Sequence, residues 1–481
     1  MATFFIEQFG CRATQADAAA IERQLRARGF DRASEADAAD IVVVNTCTVT
    51  AAADSQARRA IRAIHRRNPN VRIIATGCYA QRAPEELAAL SGVEWVVGNS
   101  HKPEIPRLAE SWRAESVAGF VPLELQANQI ANGFRQGTAS AVPKSVGASG
   151  VLTPEVGRPA QILTGDVFAL SDVLVAPVEG GEADHTRPLL KIQDGCNQRC
   201  SYCVIPFVRG RSRSLTPDRV LEEIRALVAR GYREVVLTGI HLGSYGRDLP
   251  ARADLLALVR RILDETPLNR LRLSSIEPMD VTEDLIALVA STDRIARHFH
   301  IPLQSGVDRI LAAMHRWYRA EQYARRLEWI HAWLPDAAIG ADVIAGFPGE
   351  TQAEHNATLE FIRSLPFTYL HVFSFSARPG TPAAARADSL PTEAVAERAR
   401  DLRALGAEKK SAFLRAQISK TMRVLTLNPP KRAPRAAITR AVSSNNLEVR
   451  IAGRRPPNQF LDVRAISASP THLEAEILPS A

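Results

Sequence analysis

Six cysteines occur in the 481 residues, and they fall into two sets of three. Cys196, Cys200 and Cys203 share the string GCNQRCSYC, so a single loop can present three thiolates to a soft metal or an inorganic cluster. A structural zinc site would need a fourth Cys or His at a matching spacing; none follows, and the nearest, His185, precedes the apolar run LLKIQDGC. Three protein ligands on a four-iron cluster leave one iron open to a substrate. Cys11, Cys47 and Cys78 are far apart, yet each directly follows an apolar run: FFIEQFGC, IVVVNTC and ATGC. If those runs are strands of one parallel sheet, their ends lie on one edge and the three thiols converge there. A free Cys is also used as a small buried apolar residue. That use suits one such position better than three equivalent ones, two of them preceded by Gly10 and Gly77. The N-terminus MATFFIEQFGC carries no export signal, so the expected setting is a reducing cytoplasm, where cysteines ligate rather than form disulfides.

The elements that must hold these residues are α/β. Residues 1–110 alternate short apolar runs with helical patterns such as QADAAAIERQLRARGF and SQARRAIRAIHRR, which predicts an N-terminal parallel α/β domain. Residues 111–185 are rich in Ala, Gly, Ser, Val and Pro without a sustained period, and are expected to be a linker or insertion. From 186 to 418 the alternation resumes, with strands expected at LLKIQDGC, EVVLTGIHL, RLRLSSIE, HFHIPLQSG, AAIGADVIAGF and YLHVFSFS. About six βα units make a curved partial barrel, short of a closed eight-stranded one. The Cys196 loop then sits at the C-terminal mouth, where such folds place their chemistry. A long charged helix over 392–419 leaves the barrel, and five strand-like runs in 419–481 predict a small OB-like β-barrel.

The composition, 46% hydrophobic and 23% charged, is that of a globular protein, and no apolar run is long enough to span a bilayer. A net charge of +8, from 60 basic against 52 acidic residues, suggests modest attraction to a polyanion.

The Cys-x3-Cys-x2-Cys spacing resembles the radical S-adenosylmethionine (SAM) motif. Joined to an N-terminal three-cysteine domain and a small C-terminal barrel, it resembles the methylthiotransferase family, whose C-terminal module is the RNA-binding TRAM domain. The resemblance covers residues 1–110 and 186–481. It includes the strings NTCTVT, RGRSRS, LTGIHLGSYG, HIPLQSG, GADVIAGFPGET and FSARPGTPAA. The chain departs from the family pattern at Thr14, where an Asn is usual. Together SYCVIP and LTGIHLGSYG are similar to the branch acting on N6-threonylcarbamoyladenosine in tRNA. They are less like the branches acting on isopentenyladenosine or on an aspartate of a ribosomal protein. A more distant alternative is a non-catalytic, zinc-stabilised RNA-binding protein.

The resemblance implies two 4Fe–4S clusters, with all six cysteines as ligands and catalytic residues. The cluster on Cys196, Cys200 and Cys203 would bind and cleave SAM; that on Cys11, Cys47 and Cys78 would carry the sulfur that becomes a methylthio group. Tyr202 is expected against the SAM adenine, and Thr238, Gly239, Ser275, Glu277 and Gln304 against its amino, ribose and carboxylate groups. Gly346, with Pro348 and Gly349, is expected to turn beside it. Further implied partners are an electron donor such as flavodoxin or ferredoxin, and the tRNA anticodon stem-loop. Its phosphates would meet Arg58, Arg62 and Arg66 (with Arg59 and Arg67) on one helix face, Arg209, Arg211 and Arg213 beyond the cysteine loop, and Lys431, Arg432 and Arg435 in the terminal barrel.

Overall fold

The computed structural model describes residues 2–117, 159–178, 186–429 and 438–479. Its first sheet contains β1 (Thr3–Gln8), β2 (Asp31–Arg32), β3 (Ile41–Thr46), β4 (Arg72–Gly77), β5 (Val93–Val97) and β6 (Gln161–Leu163), in the order β2-β1-β3-β4-β5-β6. All five pairings are parallel. The unbroken run IVVV of β3 is buried throughout because helices cover both faces: Val42 and Val44 pack with Ile61 of the helix Ala51–Arg67, while Ile41 and Val43 pack with Ile21 of the helix Arg12–Ala27.

The expected boundary at residue 110 is crossed twice. The helix Ile105–Val117 runs past it, and β6, from the stretch expected to be a linker, pairs with β5 through Val97 and Leu163. Three residues, QIL, are too few to carry a period against their Ala/Gly-rich surroundings. The rest of that stretch, 118–158 and 179–185, lies outside the described residues.

The second domain is a curved wall of six parallel strands. After β7 (Leu189–Lys191), the short pair β8 (Gln193–Asp194) and β9 (Arg213–Ser214) frames the cysteine loop; β10 (Glu234–Thr238), β11 (Arg270–Leu273), β12 (His298–His300), β13 (Ala338–Ala345) and β14 (Tyr369–Ser374) follow. They pair as β7-β10-β11 and β12-β13-β14, and the parallel bridges Leu271–Ile295 and Ser275–His300 join the two halves. Side chains alternate across this wall. Leu190, Leu237, Leu271, Phe299 and Val343 pack outward in one core with the helices. Their alternates Lys191, Glu234, Arg272, His300 and Asp342 stand on the concave face, which is therefore unusually polar for an interior.

A small-residue face of the helix Arg12–Ala27 closes on one end of that concavity, Ala16 packing with Leu189 and Val236. The long helix Thr392–Arg415 borders β14, Gly406 lying against Leu370, and leads into β15 (Thr421–Thr426), β16 (Ile438–Ser443), β17 (Glu448–Ala452), β18 (Phe460–Ala468) and β19 (Leu473–Ile477). These five form a closed barrel. It abuts the strand N-terminal end of the wall, where Arg272 donates to the carbonyls of Ser444 and Ser443 at 2.9 and 3.0 Å and Arg270 to that of Val442 at 3.2 Å. No described helix is long and apolar enough to cross a membrane.

Candidate active site

The register of the first sheet decides where its cysteines go. Gln8 is level with Asn45, and Thr46 with Gly77, so β1, β3 and β4 end together on neighbouring strands, and Cys11, Cys47 and Cys78 follow those ends. Gly10 permits the approach: its φ is +100°, and a Cβ there would lie 2.4 Å from Cys47 Cβ and 2.7 Å from its Sγ. Gly77 (φ +103°) does the same before Cys78, where a Cβ would lie 2.3 Å from the Thr46 carbonyl oxygen. Burial, then the neighbouring thiols of Cys78 and Cys11, push the Cys47 thiol up to about 12. Three soft donors this close repel one another as thiolates unless iron or another cation lies among them. The Thr14 hydroxyl lies 3.4 Å from Cys11 Sγ, and the Asn45 side chain holds the Thr14 carbonyl at 2.8 Å.

The second trio lies in the loop between β8 and the short helix Ile205–Arg209. Burial and the Cys200 thiol push Cys203 up to about 12. Two cations face this trio, and neither carried a signal in the spacing. Arg316 reaches Cys200 Sγ at 3.4 Å and pairs with Glu277. His241 hydrogen-bonds Cys196 and lies 2.9 Å from Asp280. Burial alone would lower His241, but the bonds to Asp280 and Cys196 raise it to about 9, so it is an imidazolium at neutral pH. The donor set of each trio, three cysteines free of disulfides, fits a 4Fe–4S cluster with one iron unligated by protein.

The two trios share an interface. Cys78 packs against Val204 and Val208, the first of which directly follows Cys203, and Asn99 reaches both Cys78 Sγ at 3.6 Å and the Val208 carbonyl at 2.6 Å. Beneath lies a buried ion cluster joining the domains. Asp17 pairs with Lys102, Lys191 and Arg209, and Asp194 with Lys191 and Arg209. Burial would raise Asp17, but the three cations outweigh it and hold the carboxyl well below its usual range. Arg378, from FSARPGT, adds a second tie to Asp54 of the first domain at 2.8 Å.

Tyr202 is half-buried beside Ile344, Phe347 and Met314 at the loop of the second trio. Thr238 ends β10, buried, and Gly239 is pressed against Gln193, whose Oε1 a Cβ would meet at 2.9 Å. Ser275 is exposed at the strand ends. Gln304 holds its backbone between β12 and β13, donating to the Asp342 carbonyl at 2.8 Å. The Gly346 amide donates to Glu350 at 3.2 Å in the turn after β13. All are at the C-terminal mouth with the cysteines.

The expected RNA contacts divide. Arg62, Arg66 and Arg211 are exposed. Arg58 is half-buried against Tyr79 and Glu86. Two expectations are corrected. Arg209 is 2% exposed in the ion cluster, and Arg213, 6% exposed, donates to the carbonyls of Arg209 and Arg211, so neither can reach a phosphate on an RNA surface. A basic run on a loop reads the same whether it faces solvent or a buried carboxylate. Lys431, Arg432 and Arg435 lie outside the described residues.

On the concave face, Asp342 accepts from His300 at 3.0 Å and lies 3.3 Å from His371. Tyr369 stacks on His298 with its hydroxyl 2.8 Å from Nε2.

Residues 190–362 match the Radical SAM superfamily, and residues 3–98 match one described as Uncharacterized protein family UPF0004. The solved radical S-adenosylmethionine methyltransferase TsrM of Kitasatospora setae shares the fold at 17% identity, with a TM-score of 0.52 over 80% of this chain and 74% of that one. The class is thus a radical-SAM protein with an added N-terminal α/β domain. Among curated relatives, the threonylcarbamoyladenosine tRNA methylthiotransferase MtaB of Aquifex aeolicus is 34% identical over 88% of this chain and 92% of its own length. MtaB of Bacillus subtilis is 36% identical over 84% and 80%. A tRNA-2-methylthio-N(6)-dimethylallyladenosine synthase of Salinispora arenicola is 32% identical over 100% and 89%. The chain belongs to the radical-SAM methylthiotransferase family, in its MtaB branch.

Proposed function

We propose that this protein replaces the hydrogen on carbon 2 of N6-threonylcarbamoyladenosine, beside the tRNA anticodon, with a methylthio group. It would use SAM and two 4Fe–4S clusters. The observation that carries the reading is the meeting of two incomplete thiol sets at one interface, Cys78 packed against the segment that follows Cys203. Adenine carbon 2 is an unactivated aromatic position, which acid–base groups of a protein cannot substitute. When bound, the clusters supply an electron for reductive cleavage of SAM and a site for the sulfur to be transferred.

The chain's own residues hold and orient. Cys196, Cys200 and Cys203 present one cluster at the barrel mouth, and Arg316 and His241 place positive charge beside its thiolates. Tyr202 would offer a ring to the SAM adenine, and Thr238, Ser275, Glu277, Gln304 and the Gly346 turn, at the same strand ends, would contact its polar groups. Cys11, Cys47 and Cys78 present the second cluster from the opposite wall. The ion cluster around Asp17 fixes the two walls together, so the placing of one cysteine trio against the other is set by folding rather than by substrate.

Exposed Arg62, Arg66 and Arg211, with the C-terminal barrel as a TRAM-like module, form the surface for the anticodon stem-loop. The target base leaves its stack to enter. A flavodoxin- or ferredoxin-type protein donates electrons, and the setting is the cytoplasm, where tRNA is modified. Mass analysis of tRNA nucleosides from a strain lacking the gene tests the reading. The methylthio derivative of threonylcarbamoyladenosine should vanish while its precursor accumulates. Its persistence, with loss of the isopentenyladenosine derivative instead, would move the chain to the other branch.

A further inference from the structure

The strands β12, β13 and β14 bring three metal-binding side chains together on the concave wall. Asp342 of β13 is level with His371 of β14, and His300 of β12 is level with Gly340, two residues before Asp342 and so on the same face. Gly340 leaves room there for the Tyr369 ring: a Cβ would lie 2.1 Å from Tyr369 Cζ. One oxygen of Asp342, Oδ1, is 3.0 Å from His300 Nε2 and 3.3 Å from His371 Nδ1. One donor atom from each of the three residues lies within 4.8 Å of the other two.

Charge sets this group apart. Elsewhere in the interior, buried carboxylates meet fixed cations: Glu234 pairs with Arg187, Arg270 and Arg272, and Asp17 with Lys102, Lys191 and Arg209. Asp342 pairs with no Lys or Arg among the described residues; its partners there are the two imidazoles. An imidazole is not a fixed cation, and its neutral form carries the lone pair that binds metal. Two such nitrogens and a carboxylate oxygen are a donor set that suits zinc.

The spacing fits as well. With bonds of about 2.0–2.1 Å, neighbouring donor atoms on one zinc ion stand roughly 2.9–3.4 Å apart, and both Asp342 contacts fall in that range. The remaining gap, between the imidazoles, closes by rotation of His371, whose side chain is 55% exposed. That exposure also leaves an entry path from solvent. His300 is already aimed: its Nδ1 lies 3.3 Å from the Tyr369 hydroxyl, which turns Nε2 toward Asp342.

We propose that His300, Asp342 and His371 form a binding site for a divalent cation of the zinc type, separate from both cysteine trios. Three protein donors leave a coordination position open. The bound ion would present a Lewis acid to a carboxylate or hydroxyl oxygen on the concave face, whichever adenosine derivative the enzyme modifies.

The test uses anaerobically reconstituted holoenzyme, so that iron and sulfide occupy the six thiols before Zn²⁺ is added. After gel filtration, metal analysis should find about one zinc per chain beside the iron. X-ray absorption at the zinc edge should show nitrogen and oxygen donors at about 2.0–2.1 Å, with imidazole scattering and no sulfur near about 2.3 Å. His371→Ala, a change at an exposed side chain, should weaken zinc binding at least about 100-fold with iron content unchanged, and Asp342→Asn should do the same. Tyr369→Phe, which frees the His300 ring, should weaken it about tenfold. His331→Ala, exposed on the helix Ala320–Trp333, should bind as wild type does. Wild type that retains no zinc, a sulfur shell around the bound zinc, or His371→Ala binding as tightly as wild type would each overturn the proposal.

Discussion

Arg209 Nη2 lies 2.9 Å from the Asp17 carboxylate, so the segment behind the barrel cysteines is salt-bridged to the helix behind Cys11. Both side chains are buried, and Lys102 and Lys191 crowd the same carboxylate. Removing one partner of such a buried network leaves uncompensated charge and costs about 3–5 kcal/mol. Asp17→Ala should lose roughly that much in anaerobic denaturant unfolding. A loss no larger than that of an exposed pair such as Arg325–Glu321 would show that the network is not what holds the walls together.

Gly10→Ala should strip one cluster and spare the other. The added Cβ meets Cys47 Cβ and Sγ in a backbone conformation that alanine avoids. Iron analysis should fall by about four per chain, with SAM cleavage retained, because Cys196, Cys200 and Cys203 are untouched. Full iron content would mean the first trio tolerates a wider spacing than its glycines indicate.

Arg316→Gln removes a cation 3.4 Å from Cys200 Sγ. A positive charge there favours the more negative, reduced cluster, so its loss should lower the reduction potential of the SAM-binding cluster and leave the other unmoved. A redox titration followed by electron paramagnetic resonance reads both. Equal shifts in the two signals would contradict the assignment of Arg316 to the second trio.

Acid should loosen the C-terminal barrel. Burial would raise Glu234, but Arg272, Arg270 and Arg187 outweigh it and hold it well below the usual range. A depressed folded value gives stability that is fully present above the unfolded value of about 4.3 and is lost as pH falls toward the folded one. Hydrogen exchange at β11 and at Val442–Ser444 should therefore rise below about pH 4. Glu234→Gln should show the same exchange at neutral pH; protection there equal to wild type would remove Glu234 from the interface.

The strand ends were legible because apolar runs stop abruptly at FGC, NTC and TGC, and the parallel register brings those stops level. The six wall strands were legible for the same reason, their length and β-branched content standing out against longer helices. β6 was not: three residues that pair only because β5 offers an edge leave no local pattern. Arg209 reads as RNA-facing because its partners, Asp17 and Asp194, are supplied by other elements, and Arg213 because the carbonyls of Arg209 and Arg211 that accept from it leave no mark in the pattern of side chains. Arg316 and His241 give no local signal, because the cysteines they reach are likewise supplied by another element. Each reaches a cysteine from a separate βα unit, and only the His241 position, two residues past Gly239 in LTGIHL, lay inside a string already singled out.

The most direct test is iron and sulfide content, with SAM cleavage, in two triple variants: Cys11, Cys47 and Cys78 to Ala, and Cys196, Cys200 and Cys203 to Ala. Each should retain about four irons. The first should still release 5′-deoxyadenosine but make no methylthio product, and the second should do neither. If either triple variant loses all its iron, or if the first makes product, the two trios do not hold separate clusters and the account is wrong.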